Sequence, residues 1–295
     1  MRIFVTGASG FVGSAVVRDL VAAGHSAIGV ARSDAGAAAV TAAGASVYRA
    51  DLTDPAHLAR GAIAADAVIH CGFIHDFTKF AESCALDRRV IAALADVLAG
   101  SQRPLVITSG IGVVPGGREI TEDFEPGADA PNPRVATELE ARAQRDRGIN
   151  VSLVRLPPTT HGEGDHGFVP MLVDLARERG AAAYANDGAN HWSACHRIDA
   201  AKVFRLAVER GTPGVYHAVH ERGVPFRDIA AVIGKRLGVP VVAKAGPDIA
   251  AHFGWFAHFA TMDLPASSAR TREQLGWAPA MPGLLVDLDQ PYYFT

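Results

Sequence analysis

The run Thr6-Gly7-Ala8-Ser9-Gly10-Phe11-Val12-Gly13 constrains this chain more than any other stretch. It follows an apolar segment, Arg2–Thr6, that reads as a buried strand. It opens a segment, Phe11–Ala23, that reads as a helix closed by Gly24. Each glycine has a separate physical task in such a turn. Gly7 permits the tight bend, Gly10 removes a side chain where a pyrophosphate must approach the backbone, and Gly13 lets the helix pack closely on the strand. The helix start then offers free N–H groups and the positive end of its dipole to phosphate. The pattern predicts a dinucleotide site at Gly7, Ser9, Gly10, Phe11, Val12 and Gly13. The plain alternative is a glycine-rich turn without ligand.

The rest of the chain suits such a start. Strands are predicted at Ser26–Ala31, Ser46–Ala50, Asp66–Cys71, Pro104–Ser109 and Asn150–Leu156. Between them lie helices at Ala35–Ala43, Pro55–Gly61, Asp76–Ala99 and Pro133–Arg147. This alternation implies an α/β fold, a Rossmann-type doubly wound parallel sheet. After Leu156 the texture changes: Gly, Pro, His and Asp become frequent through Pro157–Trp192. Helices at Val169–Arg179, Ile198–Arg210 and Phe226–Leu237 alternate with short strands at Gly214–Ala218 and Val239–Ala243. The expectation is a nucleotide-binding domain over 1–156 and a smaller C-terminal substrate-facing region over 157–295, partly interleaved with the sheet.

The end of the second strand selects the cofactor. An NAD site usually places an acid there to bond the ribose hydroxyls. Here the residues are Arg32 and Ser33, which can bind a 2′-phosphate, so NADP(H) is expected in preference to NAD(H). A solvated surface arginine is the alternative. Asp51 and Leu52, after the third strand, suit an adenine contact or a helix cap.

Composition excludes several classes. A net charge of −3 gives no footprint for nucleic acid or an acidic membrane surface. No stretch is long and apolar enough to span a membrane, and no secretory leader is evident. The three cysteines, Cys71, Cys84 and Cys195, have neither metal-ligand nor disulfide spacing and suit a cytoplasmic setting. No metal is expected. The expected partner is a small-molecule substrate, with a homodimer left open.

These residues together resemble the short-chain dehydrogenase/reductase superfamily, in its extended, epimerase/dehydratase-like branch. The resemblance rests on the glycine loop, Asp51-Leu52, Asp66-Ala67-Val68-Ile69-His70, Thr108-Ser109 and Arg155-Leu156-Pro157-Pro158. It continues through His161-Gly162-Glu163-Gly164-Asp165, His196-Arg197-Ile198-Asp199 and Leu275-Gly276-Trp277-Ala278-Pro279. It implies that His70, Cys71, Gly72 and Pro157 lie along the cofactor.

The family's Tyr-x-x-x-Lys pair is missing. No tyrosine occurs between Tyr48 and Tyr184, and none of the four lysines lies on the relevant helix. Arg134 stands where the tyrosine is expected and Glu138 where the lysine is expected. Four apart on a helix, the two can pair with each other, or Arg134 can bind an anionic substrate group or a cofactor phosphate. Ser109 and His161 are the candidate catalytic groups, with His166 and His191 as further histidines in loops. Ile111, Arg134, Thr159, His166, Phe168 and Trp192 are the expected substrate pocket, although structural hydrogen bonding or core packing would account for most of them. The resemblance implies an oxidoreductase acting on a small carbonyl or hydroxyl compound. Two alternatives stay open: a nucleotide-sugar epimerase or dehydratase, and a non-catalytic redox sensor that binds NADP(H).

Overall fold

A computed structural model describes residues 1–113 and 117–295. The first half alternates strand and helix: β1 (Arg2–Thr6), α1 (Phe11–Ala22), β2 (Ser26–Ala31), α2 (Asp34–Ala42), β3 (Ser46–Arg49), α3 (Pro55–Ala62), β4 (Ala67–His70), α4 (Phe80–Leu98), β5 (Leu105–Gly110), α5 (Val135–Asp146) and β6 (Val151–Leu156). Then come β7 (Thr159–His161), α6 (Phe168–Arg179), β8 (Ala182–Ala185), β9 (His191–His196), α7 (Arg197–Arg210) and β10 (Val215–His217). The chain ends with β11 (Glu221–Pro225), α8 (Phe226–Leu237), β12 (Val241–Lys244), α9 (Pro247–Phe253), α10 (Ala257–Ala260), α11 (Ala269–Leu275) and α12 (Leu284–Leu288).

Seven strands form one parallel sheet in the order β10-β6-β5-β4-β1-β2-β3. Its strands are nearly unbroken apolar runs because helices cover both faces. One face packs Val16 and Leu20 of α1, Val40 of α2 and Phe204 of α7. The other packs Leu58 of α3, Ile91 and Leu94 of α4 and Ala141 of α5. The strand order reverses between β1 and β4, where Thr6 pairs with His70. In open α/β sheets a ligand sits in the crevice at that switch point. The expected doubly wound α/β sheet is therefore what the chain forms.

Residues after 156 do not stand apart from it. β10 supplies the seventh strand, beside β6, and α7 completes the helical layer next to α1. The remainder builds a three-stranded sheet, β11-β9-β7, and a two-stranded one, β12-β8. These surround a further core of Trp192, Phe226, Ile229 and Phe253.

Two predicted helices start later than their sequences suggest. Asp76 caps only a single tight turn, Phe77–Lys79, through its bond from the Thr78 N–H, and α4 begins at Phe80. Pro133 and Arg134 lie before α5, whose first residue is Val135. The strands β7, β9 and β11 were not readable, because three to six residues of mixed polarity carry little period-two signal.

Candidate active site

The glycine loop has the geometry of a phosphate cradle. Gly7 has φ +64°, and a Cβ there would meet the Cys71–Gly72 peptide at 2.7 Å. Gly13 lies so close to the Gly7 carbonyl that any side chain would overlap it. Gly10 differs: its φ is −78°, and the nearest atom to an added Cβ is the Gly7 carbonyl oxygen at 3.2 Å. The protein itself does not demand glycine at 10, whereas a pyrophosphate lying against that backbone would. No side chain caps α1 and no acid lies in its first turn, so the helix end keeps its attraction for an anion. These residues fit a bound dinucleotide.

Beyond β2, Arg32 and Ser33 are both exposed. The Ser33 hydroxyl caps α2 by accepting from the Gly36 N–H at 3.1 Å. Ser9 reaches the same spot, since a Cβ on Gly36 would meet the Ser33 and Ser9 hydroxyls at 3.2 and 3.3 Å. Asp34, the acid nearest Arg32 in sequence, turns instead to Arg49 at 2.5 Å. Asp51 is not a helix cap: it accepts from the Thr53 N–H and hydroxyl at 2.9 and 2.8 Å, while Asp54 caps α3. Those bonds, and the Arg32 charge, hold the Asp51 carboxyl below its usual range against some opposing desolvation. Leu52 lies 3.1 Å from where a Cβ on Gly72 would fall, so it packs against the end of β4.

A buried polar chain runs beneath the switch point. The Thr6 hydroxyl accepts from the Gly72 N–H at 3.0 Å and lies 2.6 Å from His70 Nδ1. His70 Nε2 donates to Asp87 at 3.0 Å. Asp87 also accepts from Arg134 at 2.7 Å and from the Thr137 hydroxyl at 2.6 Å. Burial alone would raise the Asp87 carboxyl, but Arg134, His70 and Thr137 hold it down at about 2. This corrects the expectation for His70, whose ring is fully used by Thr6 and Asp87; only its backbone lies along the crevice. Cys71 beside it is half-buried, and burial raises its thiol to about 12, partly offset by a bond to Thr108. Pro157, buried at the end of β6, directs its carbonyl to the Thr160 hydroxyl. Asp87 and Thr137 were missed in sequence. A polar residue on the apolar face of α4, in register with Val90, Ile91 and Leu94, is the signal that marks Asp87.

Arg134 and Glu138 do not pair with each other, as their spacing had suggested. Arg134 turns to Asp87, donates to the Thr108 carbonyl at 3.2 Å, and lays its guanidinium over the Phe73 ring at 3.9 Å. Glu138 points into the interior, where Arg155 grips it from Nε and Nη2 at 2.8 and 2.7 Å. The Ser109 hydroxyl donates to the same carboxylate at 2.6 Å. Arg155 also donates to His217 Nε2 at 3.2 Å; burial and then the Arg155 charge lower that imidazole to about 3. Ser109 is thus corrected as a catalytic candidate: it is buried and its proton is committed to Glu138.

His161 is corrected likewise. Its ring is fully buried, Nδ1 lies 2.8 Å from Asp287, and its face is toward His196 at 5.4 Å. The Tyr292 and Tyr293 hydroxyls converge on the same Asp287, and Tyr293 also accepts from the Gly162 N–H. Three expected pocket residues also fail to face the crevice. Ile111 has no exposed surface, Trp192 is stacked in the second core, and the Thr159 hydroxyl is tied to the Ser193 carbonyl. His191 pairs at the surface with Asp263.

Two histidines stay near the cofactor loop and Arg134, and Phe168 follows the first of them by two residues. His166 is exposed and meets the Phe11 ring edge-on at 5.8 Å. Phe168 is half-buried. His75 sits 5.0 Å from Phe73, and its pKa is lowered by partial desolvation and by the charges of Arg134 and His166. Among the described residues no group of His, Cys, Asp and Glu could hold a metal, and no helix is long and apolar enough to cross a membrane.

Comparison with known proteins agrees with this geometry. The model of the NAD dependent epimerase/dehydratase family matches residues 3–218. An uncharacterised protein of Schizosaccharomyces pombe is 44% identical over 100% of both chains. A 2-alkyl-3-oxoalkanoate reductase of Stenotrophomonas maltophilia is 30% identical, over 83% of this chain and 78% of its own. A dTDP-glucose 4,6-dehydratase of Streptomyces venezuelae, solved with NAD and TYD, superposes with a TM-score of 0.76 at 22% identity, over 99% of this chain and 97% of its own. The chain belongs to the NAD dependent epimerase/dehydratase family, within the extended short-chain dehydrogenase/reductases, and is an enzyme of the NAD(P)-dependent oxidoreductase type.

Proposed function

We propose that the protein uses NADP(H) to interconvert a small carbonyl compound and its alcohol, without the Tyr-x-x-x-Lys pair. The observation that carries the cofactor choice is Arg32: it is exposed at the end of β2, with Asp34 drawn away to Arg49 and the Ser9 and Ser33 hydroxyls close by. That is a cationic, hydroxyl-bearing place for a 2′-phosphate. Bound NADPH supplies a hydride. The chain's own residues position the carbonyl and supply the charge and proton that its oxygen needs.

Arg134 takes the electrostatic part of the missing tyrosine's role. Asp87, Thr137 and the Thr108 carbonyl fix its guanidinium, and a donor left free can hold the substrate oxygen as negative charge develops. A guanidinium stays protonated near neutrality, so it stabilises that charge without giving up its proton. His75, whose imidazole is pushed toward the neutral form, exchanges the proton with solvent. The carbonyl-reduction reading also suits the likeness to the 2-alkyl-3-oxoalkanoate reductase of Stenotrophomonas.

The test is NADPH oxidation with a carbonyl panel, comparing the parent with Arg134→Lys. Lysine keeps the charge but loses the fixed fork, so kcat should fall on the order of 10²-fold with NADP(H) affinity unchanged. No turnover of any carbonyl by a cofactor-loaded parent would refute the reading.

A further inference from the structure

Aromatic side chains join the two ends of the cofactor crevice across its open side. Phe73 lies on Arg134 and contacts Phe80 at 6.0 Å between ring centroids. Phe80 stacks on Phe77 at 5.9 Å. Phe77 reaches across to the C-terminal region, meeting Trp255 at 5.3 Å and Phe259 at 6.3 Å. Phe259 meets Phe168 at 4.8 Å, two residues from the His166 that touches the glycine loop at Phe11. The arc thus starts at the family's tyrosine position and returns to the pyrophosphate cradle. Its keystone is open to solvent: Phe77 is 38% and Trp255 58% exposed. Large apolar groups left exposed together, next to a crevice, mark a place where something apolar is bound.

The charges around the arc point the same way. Its three segments, 71–80, 157–176 and 245–269, contain one lysine, Lys79, and no arginine. They do contain Asp76, Glu163, Asp165, Asp174, Asp248 and Asp263. A nucleotide-sugar diphosphate brings negative charge that must be desolvated and paired. Here it would find those acids beside Lys79, Arg134, which is paired with Asp87 and keeps one donor for the reacting oxygen, and Arg197, which lies over the Phe11 ring.

We infer that the substrate is a carbonyl compound whose other substituents are uncharged and apolar, an aryl or medium-chain alkyl ketone, and that Phe77 and Trp255 grip its apolar part. The acids outnumber the cations around the arc, so a nucleotide sugar should bind less well than such a ketone. The inference rests on the oxidoreductase reading for the identity of the reacting group, while the apolar grip stands on the arc itself.

The experiment is calorimetric titration of the NADP⁺-loaded protein with acetophenone, 2-octanone and UDP-glucose, followed by NADPH oxidation with the same ketones and with glyceraldehyde. Both ketones should bind, and more tightly than UDP-glucose. Trp255→Ala should weaken ketone binding by about tenfold and leave NADP⁺ affinity unchanged. Phe77→Leu, which keeps an apolar side chain and tests the ring alone, should produce a smaller loss in the same direction. UDP-glucose binding without ketone binding would overturn the inference, and so would unaltered ketone affinity in both variants. Ketones that bind but are never reduced would leave this grip standing and remove the oxidoreductase reading. Turnover of glyceraldehyde with no binding of either ketone would do the reverse.

Discussion

Arg155 holds Glu138 through two nitrogen–oxygen contacts of 2.8 and 2.7 Å, with both side chains almost wholly buried. Glu138 is thus half of an internal ion pair. Removing one partner of such a pair strands the other charge in the interior, at about 3–5 kcal/mol. Glu138→Ala should therefore lower the melting temperature by on the order of 10 °C. Its primary effect should be on stability; a variant that melts like the parent would show that the pair contributes little.

At the cofactor's adenosine end, Arg32→Ala removes a charge that has room for a phosphate. A charge-assisted hydrogen bond contributes about 1.5–3 kcal/mol, equivalent to roughly tenfold or more in affinity. NADP⁺ binding should weaken by that factor and NAD⁺ binding should stay level. Fluorescence titration of both cofactors decides it, and equal losses would remove the basis for NADP(H) selection.

Gly10 and Gly13 should behave oppositely. At 10 the φ is ordinary and the one tight contact of an added Cβ is the Gly7 carbonyl oxygen at 3.2 Å, so Gly10→Val should fold with a small loss of stability yet lose cofactor binding. A methyl group at 13 would press into the Gly7 carbonyl, so Gly13→Ala should cost about 1–3 kcal/mol of stability. Thermal melts paired with calorimetric titration separate the two effects. Normal NADP⁺ binding by a folded Gly10→Val protein would refute the cradle.

Asp165 gives a pH dependence. Burial raises its carboxyl from 3.8 to about 6; the Gly167 N–H, His161 and His166 oppose the rise and Asp287 adds to it. The folded state therefore holds this proton more tightly than the unfolded chain. The stability it confers is complete below about pH 4 and is lost as pH rises toward 6, at most about 3 kcal/mol. Asp165→Asn, which can keep the bond from the Gly167 N–H, should flatten that part of the profile. Denaturant unfolding at pH 4, 5, 6 and 7 measures it, and an identical slope in the variant would exclude Asp165 as its source.

The sequence by itself determined the sheet and the strand-to-helix glycine turn proposed to hold the cofactor. Both depend on local rules: apolar runs that must be buried, helix periods, and three glycines at a fixed spacing that only a strand-to-helix turn with a close backbone approach requires. It also showed that no tyrosine lies between Tyr48 and Tyr184 and no lysine on α5, since absence of a residue type needs no fold to be read. Only the tertiary structure decided how Arg134 and Glu138 are partnered. Arg134 and Glu138 are neighbours by helical spacing, yet a packed interior offered each a stronger partner, Asp87 on α4 and Arg155 on β6. Those partners are 47 and 17 residues away along the chain. Ser109 and His161 looked reactive for the same local reason and proved to be bonded to Glu138 and Asp287. The aromatic arc joins Phe77 to Trp255 across 178 positions of sequence, a distance over which no periodicity is visible. Residue types and short spacings fix what a segment can do alone, whereas the direction of a long side chain is set by whichever group desolvates beside it in the folded chain.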